Sequence, residues 1–176
     1  MAATIGALSV AAATPAGASQ GGWKWCERCA GLWFSGNNTR GSCPAGDLFD
    51  GGHHSNGSGN YVLKFTSDGG AGEDGWVWCH NCQGLWSIFW HVVRGQTASR
   101  CPNGSPGPGH STLGSGQYRI ESLPDGMDGP GGQSNWDICI KCSGLFFAGN
   151  PTLGRCPGGG AHQRRLDPFR NYLLRQ

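Results

Sequence analysis

At 176 residues the chain is long enough for one domain with a real core or for three very small ones. Its 13 basic and 11 acidic residues leave a formal charge of only +2, which argues against a dedicated nucleic-acid surface. The 33 glycines and 10 prolines approach a low-complexity composition, yet eight tryptophans and seven phenylalanines exclude disorder, because such side chains bury large apolar areas.

Residues 1–19 stand apart from the rest of the chain. Ala2 to Ala18 is small, apolar and uncharged, and it ends in Ala16-Gly17-Ala18, which suits signal-peptidase cleavage. It predicts a secretory leader and an exported chain beginning near Ser19 or Gln20, although no basic residue precedes the apolar run; a disordered Ala-rich leader is the alternative. The stretch is too short, and too rich in Gly, Ser and Thr, to predict a membrane span.

From Trp23 onward one pattern is written three times, at about 23–65, 76–122 and 136–176 within a repeat region of 20–176. The first copy opens Trp23-Lys24-Trp25-Cys26-Glu27-Arg28-Cys29-Ala30-Gly31-Leu32-Trp33-Phe34. The second opens Trp76-Val77-Trp78-Cys79 and the third Trp136-Asp137-Ile138-Cys139, starting 53 and then 60 residues further on. Each copy continues with a Cys-Pro pair (Cys43-Pro44, Cys101-Pro102, Cys156-Pro157), a glycine-rich turn, a histidine and a run opening with Tyr61, Tyr118 or Tyr172. Aromatic and β-branched residues bounded by turn formers predict a short strand before each Cys-x2-Cys, a second from Gly31, and a closing strand at Tyr61–Phe65, Tyr118–Ile120 and Tyr172–Leu174. No stretch predicts a helix. Thr66 to Gly75 and Leu123 to Asn135 read as exposed connections, and Ile88 to Val93 is an aromatic insertion peculiar to the second copy.

Nine cysteines is an odd number, so disulfides alone leave at least one thiol over. Adding the recurring histidine uses every cysteine, in three sets of four: Cys26, Cys29, Cys43 and His53; Cys79, Cys82, Cys101 and His110; Cys139, Cys142, Cys156 and His162. After each Cys-x2-Cys come 13, 18 or 13 residues to the third cysteine and then 9, 8 or 5 to the histidine. A tight turn holding two thiolates, with a glycine two positions on, lets backbone amides approach the sulfurs. Three thiolates and one imidazole suit tetrahedral zinc, and four protein ligands leave no place for a reacting water, so three structural zinc ions are predicted. One disulfide per copy plus a lone thiol is the rival scheme, but it gives the histidine no role. The third set has the least regular histidine context and is expected to release metal first. His54, His80 and His91 each occur in one copy only and read as singles rather than ligands. No Gly-x-Ser-x-Gly elbow, His-Glu-x-x-His, phosphate loop or dinucleotide fingerprint is present, and the carboxylates sit mostly in turns, so the chain is not expected to be an enzyme.

Taken together, Trp-Cys-x-x-Cys-x-Gly-Leu-(Trp/Phe)-Phe-x-Gly-Asn, Cys-Pro-x-Gly-Gly and His resemble a repeat of secreted bacterial proteins, notably of actinomycetes. The resemblance covers residues 23 to 176, departs at the insertion of the second copy and at the tail of the third, and implies export and repeat architecture without naming a substrate. Three β-rich units of about 50 residues suggest an all-β fold, most simply one β-trefoil-like domain, with three tandem zinc-stapled β units as the alternative. Two roles fit such a fold. One is a non-catalytic, lectin-like module for carbohydrate: Trp33, Trp86 and Phe146 stand beside a buried Leu on an alternating strand and so face away from it, toward solvent or a ligand with Asn37 and Asn150 as polar partners, or else into packing against a neighbouring copy. The other is an adaptor for a secreted protein assembly, docking through Ile88 to Val93 or the basic terminus.

Overall fold

A computed structural model describes residues 19–93, 100–103, 109–165 and 171–176, with 91–93 described by their backbone alone. The leader, save Ser19, therefore lies outside the described residues. The chain is all-β, built on strands β1 (Ser19–Trp25), β2 (Leu32–Phe34), β3 (Tyr61–Phe65), β4 (Glu73–Trp78), β5 (Leu85–Ser87), β6 (Gln117–Ser122), β7 (Gln133–Ile138), β8 (Leu145–Phe147) and β9 (Tyr172–Leu174). All the strand pairs are antiparallel.

In each copy of the sequence pattern the first strand lies between the other two. Trp23 faces Phe34 and Tyr61, Trp76 faces Ser87 and Tyr118, and Trp136 faces Phe147 and Tyr172. The register slips just before each of these tryptophans, where Gly22 (φ 89°), Gly75 (φ 86°) and Asn135 (φ 68°) take left-handed backbone. Glycine, or an asparagine that tolerates this region, is what such a bulge needs.

The closing strands then join the copies. Lys64 pairs with Arg119 and Glu121 with Leu173, while a bridge from Val62 to Arg175 brings β9 back to β3, so the sheet is nearly closed. At the other end β2, β5 and β8 touch through Trp33–Gly84, Trp86–Gly144 and Gly31–Phe146. One core runs through the whole, drawing on Trp23, Leu63, Trp76, Ile120, Trp136 and Leu174 among others.

Two connections differ from expectation. Thr66–Asp68 forms a 3-10 turn and Glu73 to Gly75 already belong to β4, just as Gln133 to Asn135 belong to β7. The insertion Ile88–Val93 is a six-residue helix, α1, whose Trp90 N–H is taken up by the Ser87 hydroxyl at 3.3 Å. Its residues favour strand intrinsically, and packing of Trp90 against the main core overrides that preference. Among the described residues no helix is long and apolar enough to cross a membrane.

Candidate metal centres

Each Cys-x2-Cys turn follows a first strand and reverses the chain into a second. The first cysteine N–H takes the carbonyl of the glycine five residues on (Cys26 to Gly31, 3.0 Å; Cys79 to Gly84, 3.0 Å; Cys139 to Gly144, 2.9 Å). The left-handed residue of the turn is not that glycine but the one before it: Ala30 (φ 64°), Gln83 (φ 65°) and Ser143 (φ 59°). The glycine supplies room instead, since a Cβ on Gly31 or Gly144 would lie 3.4 Å from the sulfur of Cys29 or Cys142.

The three sets expected from the sequence all assemble. Within each, the four ligand atoms lie within 4.8 Å of one another. Sγ–Sγ distances are 3.8 Å for Cys26–Cys43, 3.9 Å for Cys79–Cys101 and 3.7 Å for Cys139–Cys156. The second cysteine lies 3.5, 3.4 and 3.7 Å from Nδ1 of His53, His110 and His162. A tetrahedral ion with bonds of about 2.3 Å to sulfur and about 2.05 Å to nitrogen has edges of roughly 3.8 and 3.6 Å, so these two spacings in each set are ones such an ion could span. All nine cysteines are free thiols in this structure. The first and third sets are wholly buried; in the second, Cys101 and His110 are half-buried.

Within each set the three thiols hydrogen-bond to one another and shift in opposite directions. Hydrogen bonds from Cys29 and Cys43 hold the Cys26 thiol far below the usual range, and Cys79 and Cys139 are lowered in the same way by their neighbours. The price falls on the other two sulfurs: the bond to Cys26 pushes Cys43 up to about 11, the bond to Cys139 does the same to Cys156, and Cys29 and Cys142 are raised further. A divalent ion removes that conflict by letting all three ionise. Backbone N–H groups of His54, Gly158 and Gln163 point at Cys26, Cys156 and Cys139 at 3.5, 3.2 and 3.4 Å, as expected around thiolates.

His54 and His80 stay outside the sets. His54 is engaged by Asp50 and by Glu27 at 3.4 Å, and exposed His80 lies against the Trp78 ring. The side chain of His91 lies outside the described residues.

Trp33, Trp86 and Phe146 are buried against the candidate ligand histidines. Alternation turns them away from the buried leucine beside each, but that second side is covered by the metal loop: they are 4, 6 and 0 % exposed and stack on His53, His110 and His162 at 5.3, 5.0 and 4.6 Å. Asn37 is exposed and donates to Gln83 Oε1 at 2.9 Å, and Asn150 is half-buried. Their Gly-Asn motif serves packing, because a Cβ on Gly36 or Gly149 would fall on the ring of Phe34 or Phe147.

One surface feature lies outside the repeated pattern and was not expected from it. Leu48 and Phe49 are fully exposed at the tip of the loop between Cys43 and His53. That loop is pinned: Asp47 accepts the N–H groups of Phe49 and Asp50, and Arg28 donates to the carbonyls of Asp50 (2.8 Å) and Ala45 (2.6 Å). Its length carries no signal in the sequence, being nine residues against eight and five in the other copies.

No family model, curated protein or solved structure matches this chain.

Proposed function

We propose that the chain is an exported, non-catalytic binding module stapled by three structural zinc ions, one per copy of a threefold repeat. The observation that carries this reading is the gathering of three thiol sulfurs and one imidazole nitrogen within 4.8 Å of one another in all three sets. Zinc matches that donor set best, and a shell filled by protein leaves no site for a reacting water. Recurrence of the strand register and of the Trp–Tyr pairs supports the threefold reading. A trefoil-like architecture fits the near closure, with three strands in each unit where a full trefoil has four. Export rests on the Ala-rich stretch 1–19 and on the resemblance of the repeat.

Of the two binding roles, protein docking is the better supported. The aromatics that a lectin reading needs are buried, whereas Leu48 and Phe49 are bare on a loop fixed by several hydrogen bonds, and preorganised apolar tips serve as anchors in partner pockets. The test is native mass spectrometry of the purified full chain, followed by a glycan array and by photocrosslinking from a benzoylphenylalanine at position 49 in the producing cell. Three retained zinc ions, a blank array and a discrete protein adduct lost on Leu48→Asp are expected. Disulfide masses with no metal sink the zinc assignment, and sugar binding unaffected by Leu48→Asp returns the module to carbohydrate.

A further inference from the structure

We propose that the three metal sets are energetically coupled, with the first as the hub; this rests on the proposed zinc assignment and concerns its regulation. Each ligand histidine binds its own set through Nδ1, which leaves Nε2–H as a donor. The Nε2 of His53 lies 3.1 Å from the carbonyl of Cys82, in the second set, and the Nε2 of His162 lies 3.1 Å from the carbonyl of Cys29, in the first. The second bond spans 133 residues of chain. Donation of the free ring N–H to a carbonyl is how a metal-bound imidazole is held in place, and here the carbonyl belongs to a ligand of another ion.

The same carbonyls are gripped from a second side. Ser42 N–H reaches Cys82 O and Arg155 N–H reaches Cys29 O, both at 3.3 Å, and a Cβ on Gly41 or Gly154 would fall on those oxygens. The turn that presents Cys82 is thus shaped by the loop that presents Cys43 and His53, and the turn that presents Cys29 by the loop of Cys156 and His162. Among the described residues, the link between the second and third sets is thinner. Ser87 N–H donates to Ser143 O at 2.9 Å, as Phe34 does to Gln83 and Phe147 to Ala30, but the buried Nε2 of His110 has no partner among the described residues.

An ion in the first set fixes the tautomer and rotamer of His53, and so the orientation of Cys82. An ion in the third does the same for Cys29 through His162. Coupling of this kind is reciprocal, so the first set strengthens, and is strengthened by, both others, while the second and third exchange little. The loops also close over a small apolar recess between the three sets, lined by Leu32, Leu85, Leu145 and the three Cys-Pro prolines, which brings all three within reach of one another.

Zinc titration of the demetallated full chain, followed by native mass spectrometry against a competing chelator, tests this. In the wild type, the one-zinc and two-zinc species should be depleted relative to three independent sites. Cys43→Ser, which empties the first set, should weaken zinc at both remaining sets about tenfold. Cys156→Ser should weaken the first set by a similar factor and leave the second unchanged, and Cys101→Ser should mirror it. Should a variant fail to fold, the wild-type species distribution decides alone. Three zinc ions bound with independent affinities overturn the coupling while leaving the structural-zinc reading intact; no zinc bound overturns that reading itself.

Discussion

The ring of Trp23 meets that of Tyr118 edge-on, with centroids 5.1 Å apart and planes at 85°. Tyr61 meets Trp136 in the same way at 5.2 Å and 83°, and Trp76 meets Tyr172 at 5.1 Å and 85°. Every pair joins different copies, and each tyrosine hydroxyl is bound by the first strand of another copy: Tyr61 by Gln133, Tyr118 by Gln20, Tyr172 by Glu73. The three units therefore share one core rather than three. Trp23→Leu and Tyr118→Leu should each destabilise strongly, and a double-mutant cycle should give a coupling of about 1 kcal/mol. Additive losses in chemical denaturation would mean that the copies fold as separate beads.

The second set should lose metal first. On sequence alone the third is the weakest, because its histidine context is least regular, but His162 is buried and bonded through both nitrogens, whereas Cys101 and His110 are half-buried and Nε2 of His110 lacks a partner among the described residues. Cys29→Ser, Cys82→Ser and Cys142→Ser should each cost at least one zinc, and His54→Ala and His80→Ala none. The donors must be deprotonated to bind, so affinity falls as pH falls, and acidification should release zinc and loosen the fold together. Chelator titration with tryptophan fluorescence and a thiol reagent checks the order, since Cys101 should react first.

Repetition made the candidate ligands legible: a histidine that returns after every third cysteine needs a reason, and the fold brings it to the sulfurs. Tyr61, Tyr118 and Tyr172 marked the closing strands for the same cause. What sequence could not show was tertiary cover. Alternation correctly turned Trp33 away from Leu32, but nothing local says that the far side is roofed by the loop of Cys43 and His53. Ile88 to Val93 carried strand propensity and became α1, its start signal hidden because Ser87 is both the end of β5 and the cap. Leu48 and Phe49 left no mark in the pattern because these loop residues repeat in no other copy.

Backbone strain gives a clean test of the bulges. Asn135 holds φ 68° at an exposed position where its equivalents are Gly22 and Gly75. Asn135→Gly should stabilise by up to about 0.5 kcal/mol, whereas Gly75→Val should cost 1–2 kcal/mol or more, roughly the penalty for a branched residue in left-handed backbone. Thermal melts of the zinc-loaded variants distinguish the two signs.

Trp33 separates packing from recognition. Its indole nitrogen is buried without a hydrogen-bond partner among the described residues, and Phe146 fills the equivalent place against His162. Trp33→Phe should therefore keep three zinc ions and lose little stability, while Trp33→Ala should cost about 3–5 kcal/mol through the cavity it leaves beside His53. A Trp33→Ala protein of unchanged stability would place the ring outside the core.

The residue three positions after the tyrosine of each closing strand differs in charge from copy to copy: Lys64, Glu121 and Arg175. Glu121 is 4 % exposed and lies between the two cations, 2.6 Å from the Arg175 guanidinium and 3.7 Å from the Lys64 ammonium, with a further bond from the Asp128 N–H at 3.2 Å. One acid between two bases offsets charge on both sides of it. Glu121→Gln keeps the shape but removes the buried carboxylate that Arg175 and Lys64 share, although Lys64 keeps Asp128 and both cations are partly exposed. The loss should be about 1–2 kcal/mol, between an exposed and a fully buried pair, and should fall in part with added salt. Guanidinium and urea denaturation of Glu121→Gln, compared with Asp74→Asn at the more exposed Arg119 pair, is the measurement. Asp74→Asn should cost under about 1 kcal/mol. Equal losses at the two sites would show that Glu121 is a surface charge like any other.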